Sequence, residues 1–151
     1  MQQAFSKPAA RGSAEARALS CFRHPAIGVL ISDRSADAEP HLLLQKLDGP
    51  TLAERITACP LTEEEADQLA TRMVQALRHV HDAGWLHNDV SPANIILTEA
   101  GAVLIDFSAA TRIEAARPHQ VGTLHYMAPE RFEQVPPSPA SDFYSLGIVL
   151  Y

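Results

Sequence analysis

Three side chains stand out for their chemistry: Asp89 and Asn94 within the stretch HNDVSPAN, and Asp106 at the end of the apolar run that precedes Phe107. A carboxylate, a carboxamide and a second carboxylate are the oxygen donors that a hard divalent cation takes. A carboxylate can also accept or orient the proton of a hydroxyl. The five-residue step from Asp89 to Asn94 lets one loop aim both groups at one cleft. Taken singly, each residue has a plainer reading. Asp and Asn form turns by bonding to nearby backbone, and Asp106, after a strand, would serve as a helix cap. His87 invites an acid–base role.

The elements that must position these groups follow from apolar spacing. The clearest is a helix in which Leu69, Met73, Ala76, Leu77 and Val80 recur at helical intervals. Thr62 and Glu65 have capping-box spacing at its start, and Gly84 stops it. That stripe is core packing. Residues 95–98 and 102–105 read as short strands around Glu99-Ala100-Gly101, so Asn94 precedes the first and Asp106 follows the second. Upstream, residues 13–22 read as a helix capped by Ser13, with Ala16, Leu19 and Phe22 or Cys21 on its inner side. The apolar runs 26–32 and 41–45, joined by a polar turn, read as antiparallel strands. Asp48-Gly49-Pro50 breaks the chain before a short helix at 51–58, and residues 1–12 read as a loose leader. Residues 107–122 have no periodicity, and a stretch of that length in a compact domain is functional or mobile. Residues 141–151 open another apolar helix.

The chain has 151 residues, 46% hydrophobic and 20% charged, with a net charge of −6. These values fit one globular domain. The basic residues are scattered and the balance is acidic, which argues against a nucleic-acid partner. No apolar run reaches the roughly 18 residues of a membrane span, and no signal-peptide pattern opens the chain. A cytoplasmic location is the default. Cys21 and Cys59 form no CxxC pair and are expected to be reduced and buried.

Four segments in order, HNDVSPAN, IDFS, GTLHYMAPE and SDFYSLG, strongly resemble a protein kinase. The family's signature runs H-R-D-L-x-x-x-N, D-F-G and A-P-E. The wording of residues 122–130 and Pro92 point to the serine/threonine type, and kinase-like domains of bacterial proteins look nearest. The resemblance implies an α+β, protein kinase-like fold, truncated to part of the small lobe, the hinge and the first half of the helical large lobe. It implies ATP and Mg²⁺ as cofactors and transfer of phosphate to a Ser or Thr of a protein substrate. Asp89 would be the base, Asn94 and Asp106 the metal ligands, and Thr123 the brace of the substrate-docking loop. Leu44, Gln45, Lys46 and Leu47 would be the hinge that bonds adenine, with Ile96 under the ring. Glu15 corresponds to a helix Glu that pairs with a strand Lys. His87 is implied to be structural, packing beside Phe107 in a spine with Leu19 and Leu30. Asp142 would tie down the catalytic loop.

The departures from the pattern shape the other expectations. No glycine-rich loop or VAIK-type Lys is seen before the helix, and Lys7, eight residues before Glu15, is expected to lie too close to occupy a separate strand. Glu15 is then expected to be solvated. Asn88, Ser91 and Ser108 replace an Arg, a Lys and a Gly of the family's motifs. On this reading residues 13–151 are a partial kinase domain, with further domains in a longer chain and little activity alone. Leu146, Ile148, Val149, Leu150 and Tyr151 are expected to lie open. Alternative readings are a kinase-like signalling or binding module without activity, and a small-molecule phosphotransferase of the aminoglycoside type.

Overall fold

A computed structural model describes residues 3–10, 13–119 and 121–151. Strand β1 (Ala4–Pro8) pairs antiparallel with β3 (His41–Gln45), from Ala4 opposite Gln45 to Pro8 opposite His41. Strand β2 (Leu30–Arg34) flanks β3 on the other side, with an irregularity between Leu30 and Ser32. Pro8 is tolerated because β1 is an edge strand. Residues 4–8 are therefore not a loose leader: Ala-Phe-Ser-Lys finds its partners in a strand more than 30 residues away, beyond the reach of local patterning.

The strand expected over 26–32 starts later. Ala26 and Gly28 bond instead to Leu104, through Leu104 N to Ala26 O at 2.8 Å and Gly28 N to Leu104 O at 2.9 Å. This strip fastens the small sheet to the rest of the molecule. Helix α1 (Ala14–Cys21) buries Glu15, Ala16, Ala18 and Leu19, and Phe22 follows into the core. Ser13 makes no side-chain cap. Cys21 and Cys59 are free but exposed, a correction to their expected burial: Phe22 takes the inward position, and Cys59 trails the end of α2.

Helices α2 (Leu52–Ala58) and α3 (Glu63–Asp82) each begin with a complete capping box, Thr51 with Glu54 and Thr62 with Glu65. All five residues of the α3 stripe are buried, and three glutamates in its first turn suit the helix dipole. β4 (Trp85–Leu86) pairs with β7 (Thr111–Arg112), while β5 (Ile95–Thr98) and β6 (Gly101–Leu104) form a hairpin. Helix α4 (Pro139–Leu150) starts with Pro at its first turn and packs on α3. Of its expected open face, Ile148 and Tyr151 are exposed, but Leu146 is buried and Val149 and Leu150 pack against the core. One cluster joins α1, α3 and the hairpin, from Leu19 and Phe22 through Met73 and Leu77 to Leu104 and Phe107.

Candidate active site

The loop between β4 and β5 is built around one carboxylate. Asp142, 2% exposed on α4, accepts from His87 N and Asn88 N at 2.9 Å each and contacts His81 Nε2 at 2.9 Å. Asn88 takes a left-handed backbone, φ 67°, a conformation Asn adopts more readily than most residues. The next residue, Asp89, is held on both oxygens. Thr123 donates its backbone N–H and its hydroxyl to Oδ1, each at 2.7 Å, and Asn94 Nδ2 donates to Oδ2 at 2.9 Å. Asn94 Nδ2 also bonds the Asp89 carbonyl, so its amide oxygen is turned away from these partners.

His87 is spent on structure, as the resemblance implied. Its Nδ1 accepts from Asp89 N at 3.2 Å, which leaves Nε2–H to donate to Ile105 O at 3.0 Å. Its ring meets Phe107 edge-on at 4.6 Å, and Phe22 packs on Phe107 at 5.1 Å. Leu19 and Phe107 are buried in the same cluster, with Leu30 packed against it.

Asp106 also has a left-handed backbone, φ 58°. Its Oδ1 accepts from Lys7 Nζ at 2.8 Å and from Ser108 N at 3.2 Å. Lys7 Nζ reaches Glu15 as well, at 2.8 and 2.9 Å. Lys7 thus does occupy a strand beside the helix carrying Glu15, and Glu15 is 4% exposed rather than solvated. The five residues between β1 and α1 suffice because Glu15 lies in the first turn of α1. No local pattern marked Lys7, because its strand is decided by pairing with β3. Burial opposes the charge on Asp106, but Lys7 and Ser108 outweigh it and hold the carboxyl below its ordinary range. Burial likewise opposes the charge on Lys7, yet Asp106 and Glu15 raise it above its ordinary value.

Lys7→Met is expected to destabilise the fold by roughly 1–3 kcal/mol, since it leaves Glu15 buried without its partner. Asp106, with its depressed value, contributes above the unfolded Asp value and loses that contribution as pH falls through its folded value. Lys7, with its raised value, contributes fully below the unfolded Lys value and loses it as pH rises through the folded one. The gap between parent and variant, read from urea midpoints, is therefore flat through neutral pH and narrows below about pH 4 and above about pH 10.

Lys7, Glu15 and Asp106 form the polar end of a cavity of 410 Å³. Its apolar walls come from Leu19, Val29, Leu44, Ile96 and Ile105, and Gln45, Lys46 and Leu47 run along one edge. Lys46 N donates back to Gln3 O at 2.9 Å, while among the described residues nothing accepts from Leu47 N. An apolar cavity with such an amide at its edge suits a heteroaromatic ring, and the oxygens of Asn94 and Asp106 suit Mg²⁺. The residues present therefore fit both groups. Of the expected site, Glu15, Leu44, Gln45, Lys46, Leu47, Ile96 and Asp106 line this cavity. Asp89, Asn94 and Thr123 form a second group, tied to the first by the bond from Ile105 N to Asn94 O at 2.9 Å. Lys7 was missed as part of the site, and so was Arg131, which is 3% exposed and reaches Asn88 Oδ1 at 3.5 Å.

The family pattern for the protein kinase domain matches residues 2–151, β1 and Lys7 included. The chain belongs to the protein kinase family. Bacterial kinases are among the relatives of this kinase domain. A probable serine/threonine-protein kinase, PknB of Lactococcus lactis, is 28% identical over 148 residues, covering 94% of this chain and 24% of the relative. The serine/threonine-protein kinase PrkC of Bacillus subtilis is 32% identical over 143 residues, 91% of this chain and 22% of the relative. The serine/threonine-protein kinase PknB of Mycobacterium tuberculosis is 32% identical over 149 residues, 91% of this chain and 24% of the relative. The chain spans about a quarter of the length of these relatives. Among the described residues no helix is long and apolar enough to cross a membrane.

Proposed function

We propose that this kinase domain transfers the terminal phosphoryl group of Mg-ATP to a Ser or Thr hydroxyl of a protein substrate. The observation that carries the reading is the anchoring of Asp89 by Thr123 on one oxygen and Asn94 on the other. A carboxylate so fixed is oriented to take the proton of an incoming hydroxyl without reorganising. Leu44, Gln45, Lys46, Leu47 and Ile96 would hold the adenine. Lys7, steadied by Glu15, would meet the phosphates, and Asn94 and Asp106 would hold Mg²⁺. When bound, Mg-ATP supplies the phosphoryl group and neutralises charge as it transfers. The chain's part is to position. Thr123 braces the docking loop, and Asp142 keeps the loop backbone in place. Further domains of a longer protein and a cytoplasmic location belong to the same proposal.

The test is transfer of radiolabel from Mg-ATP to a basic protein substrate. Asp89→Asn is expected to lower the rate by roughly 10²–10⁴-fold. Equal incorporation by parent and variant would sink the assignment. One observation favours a second reading, a nucleotide-binding module without transfer. Ser91 stands where the family has a Lys, and its hydroxyl is buried with no partner among the described residues. In that case Mg-ATP raises the melting temperature but no label moves.

A further inference from the structure

Segment 107–123 joins the two halves of the site, because Asp106 precedes it and Thr123 ends it. From Arg112 to Gly122 it contains no Ser, Thr or Tyr. Of the hydroxyls at its ends, Ser108 is exposed beside Asp106, Thr111 Oγ1 accepts from Asn88 Nδ2 at 3.0 Å, and Thr123 is committed to Asp89. The middle of the segment thus offers no place for a phosphate ester, and something within the chain must hold it down.

The side chains of Asn88 and Arg131 do so. Asn88 Nδ2 donates to Ala109 O at 2.9 Å and to Thr111, which secures the start of the segment to the catalytic loop. Arg131, in the turn Pro129–Arg131, secures the end: Nη2 donates to His119 O at 3.0 Å and to Val121 O at 3.1 Å. Its Nη1 lies 3.5 Å from Asn88 Oδ1, a weaker contact that closes the circuit. Gly122, at φ 120°, then passes so close that a Cβ there would stand 2.5 Å from the Asn88 carbonyl. The next residue is Thr123, on Asp89. A buried guanidinium is costly to desolvate unless its hydrogens are used, and two of its bonds go to this one stretch of backbone.

We infer that Arg131 is a positioning residue which, with Asn88, docks segment 107–123 on the catalytic loop without phosphorylation, so that the Asp89–Thr123 contact is assembled in the unmodified protein. The inference rests on the kinase reading for its significance, since the docked segment sets the catalytic carboxylate. Its structural content stands apart from nucleotide binding.

The experiment is hydrogen exchange followed by mass spectrometry on phosphatase-treated protein. The reporter is the Thr123 amide, which donates to Asp89; peptides from α3 serve as the global reference. The parent is expected to be protected at Thr123 without phosphate. Arg131→Met should raise exchange there by ~tenfold or more, because bonds from a charged donor are lost, with α3 unchanged. Arg131→Lys should restore part of the protection. Gly122→Ala reaches the same contact from the Asn88 side and should open it too, which keeps the test decisive if Arg131→Met does not fold. Fast exchange at Thr123 in the treated parent would overturn the inference. So would a rise in Arg131→Met shared equally by α3, or protection that returns only when a phosphate is added. A melt with Mg-ATP on the same samples separates the two claims: no shift there would refute the nucleotide site and leave the exchange result standing.

Discussion

Asp106→Asn is expected to abolish the stabilisation that Mg-ATP gives the folded chain. A ligand that binds only the folded state adds about 2.7 kcal/mol at 100 times its Kd. For a domain of this size that raises the melting temperature by roughly 5–10 °C. Asn keeps the shape of Asp but removes the charge that a hard cation needs. The substitution also releases Lys7 from one of its two carboxylates, yet Lys7 retains Glu15. The Asp106 side chain is 37% exposed, so its ion pair with Lys7 contributes little to the ligand-free fold. The expected signature is therefore specific: a near-parental melt without ligand and no response to Mg-ATP. An undiminished Mg-ATP shift in the variant would remove Asp106 from the metal site.

Asp142→Ala should be the most damaging single change to the fold. The Asp142 carboxylate is the acceptor for two buried backbone amides, His87 N and Asn88 N, and contacts His81 besides. Truncation strands both amides in a space sealed from water, at about 1–3 kcal/mol for each unsatisfied group. A total of about 3–5 kcal/mol is expected, a large part of a typical domain's 5–15. Asp142→Asn is the informative companion: it keeps one acceptor oxygen and should lose roughly half as much. Urea midpoints give both numbers, and a loss below about 1 kcal/mol for Asp142→Ala would contradict the role assigned to this residue.

Some of this was legible in the residues, and some was not. The α3 stripe was readable because Leu69, Met73, Ala76, Leu77 and Val80 bury themselves by local periodicity alone. Asp89, Asn94 and Asp106 were legible as candidates because a carboxamide and two carboxylates are the types such chemistry would draw on. What escaped were features decided by distant partners. β1 exists because β3 lies beside it, and Lys7 could be joined to Glu15 and Asp106 only once that pairing was known. The start of β2 moved because Leu104, far along the chain, takes the hydrogen bonds of Ala26 and Gly28. Arg131 carries no motif of its own, and its partners are mostly backbone carbonyls, which sequence does not distinguish.

The bonds at Leu104 have a mechanical consequence. The three-stranded sheet meets the helical body along the strip Ala26–Gly28, through the chain that leaves β3 toward Thr51, and through α1, whose Leu19 shares the core cluster with α3 and Phe107. Leu104 is only two residues before Asp106, so Asp106 sits beside this strip, while Lys7 belongs to the sheet and Glu15 to α1. Drawing β1 away from the β5–β6 hairpin would part Lys7 from Asp106. The distance from Lys7 Nζ to Asp106 Oδ1, 2.8 Å here, is thus a built-in gauge of how far the cleft stands open.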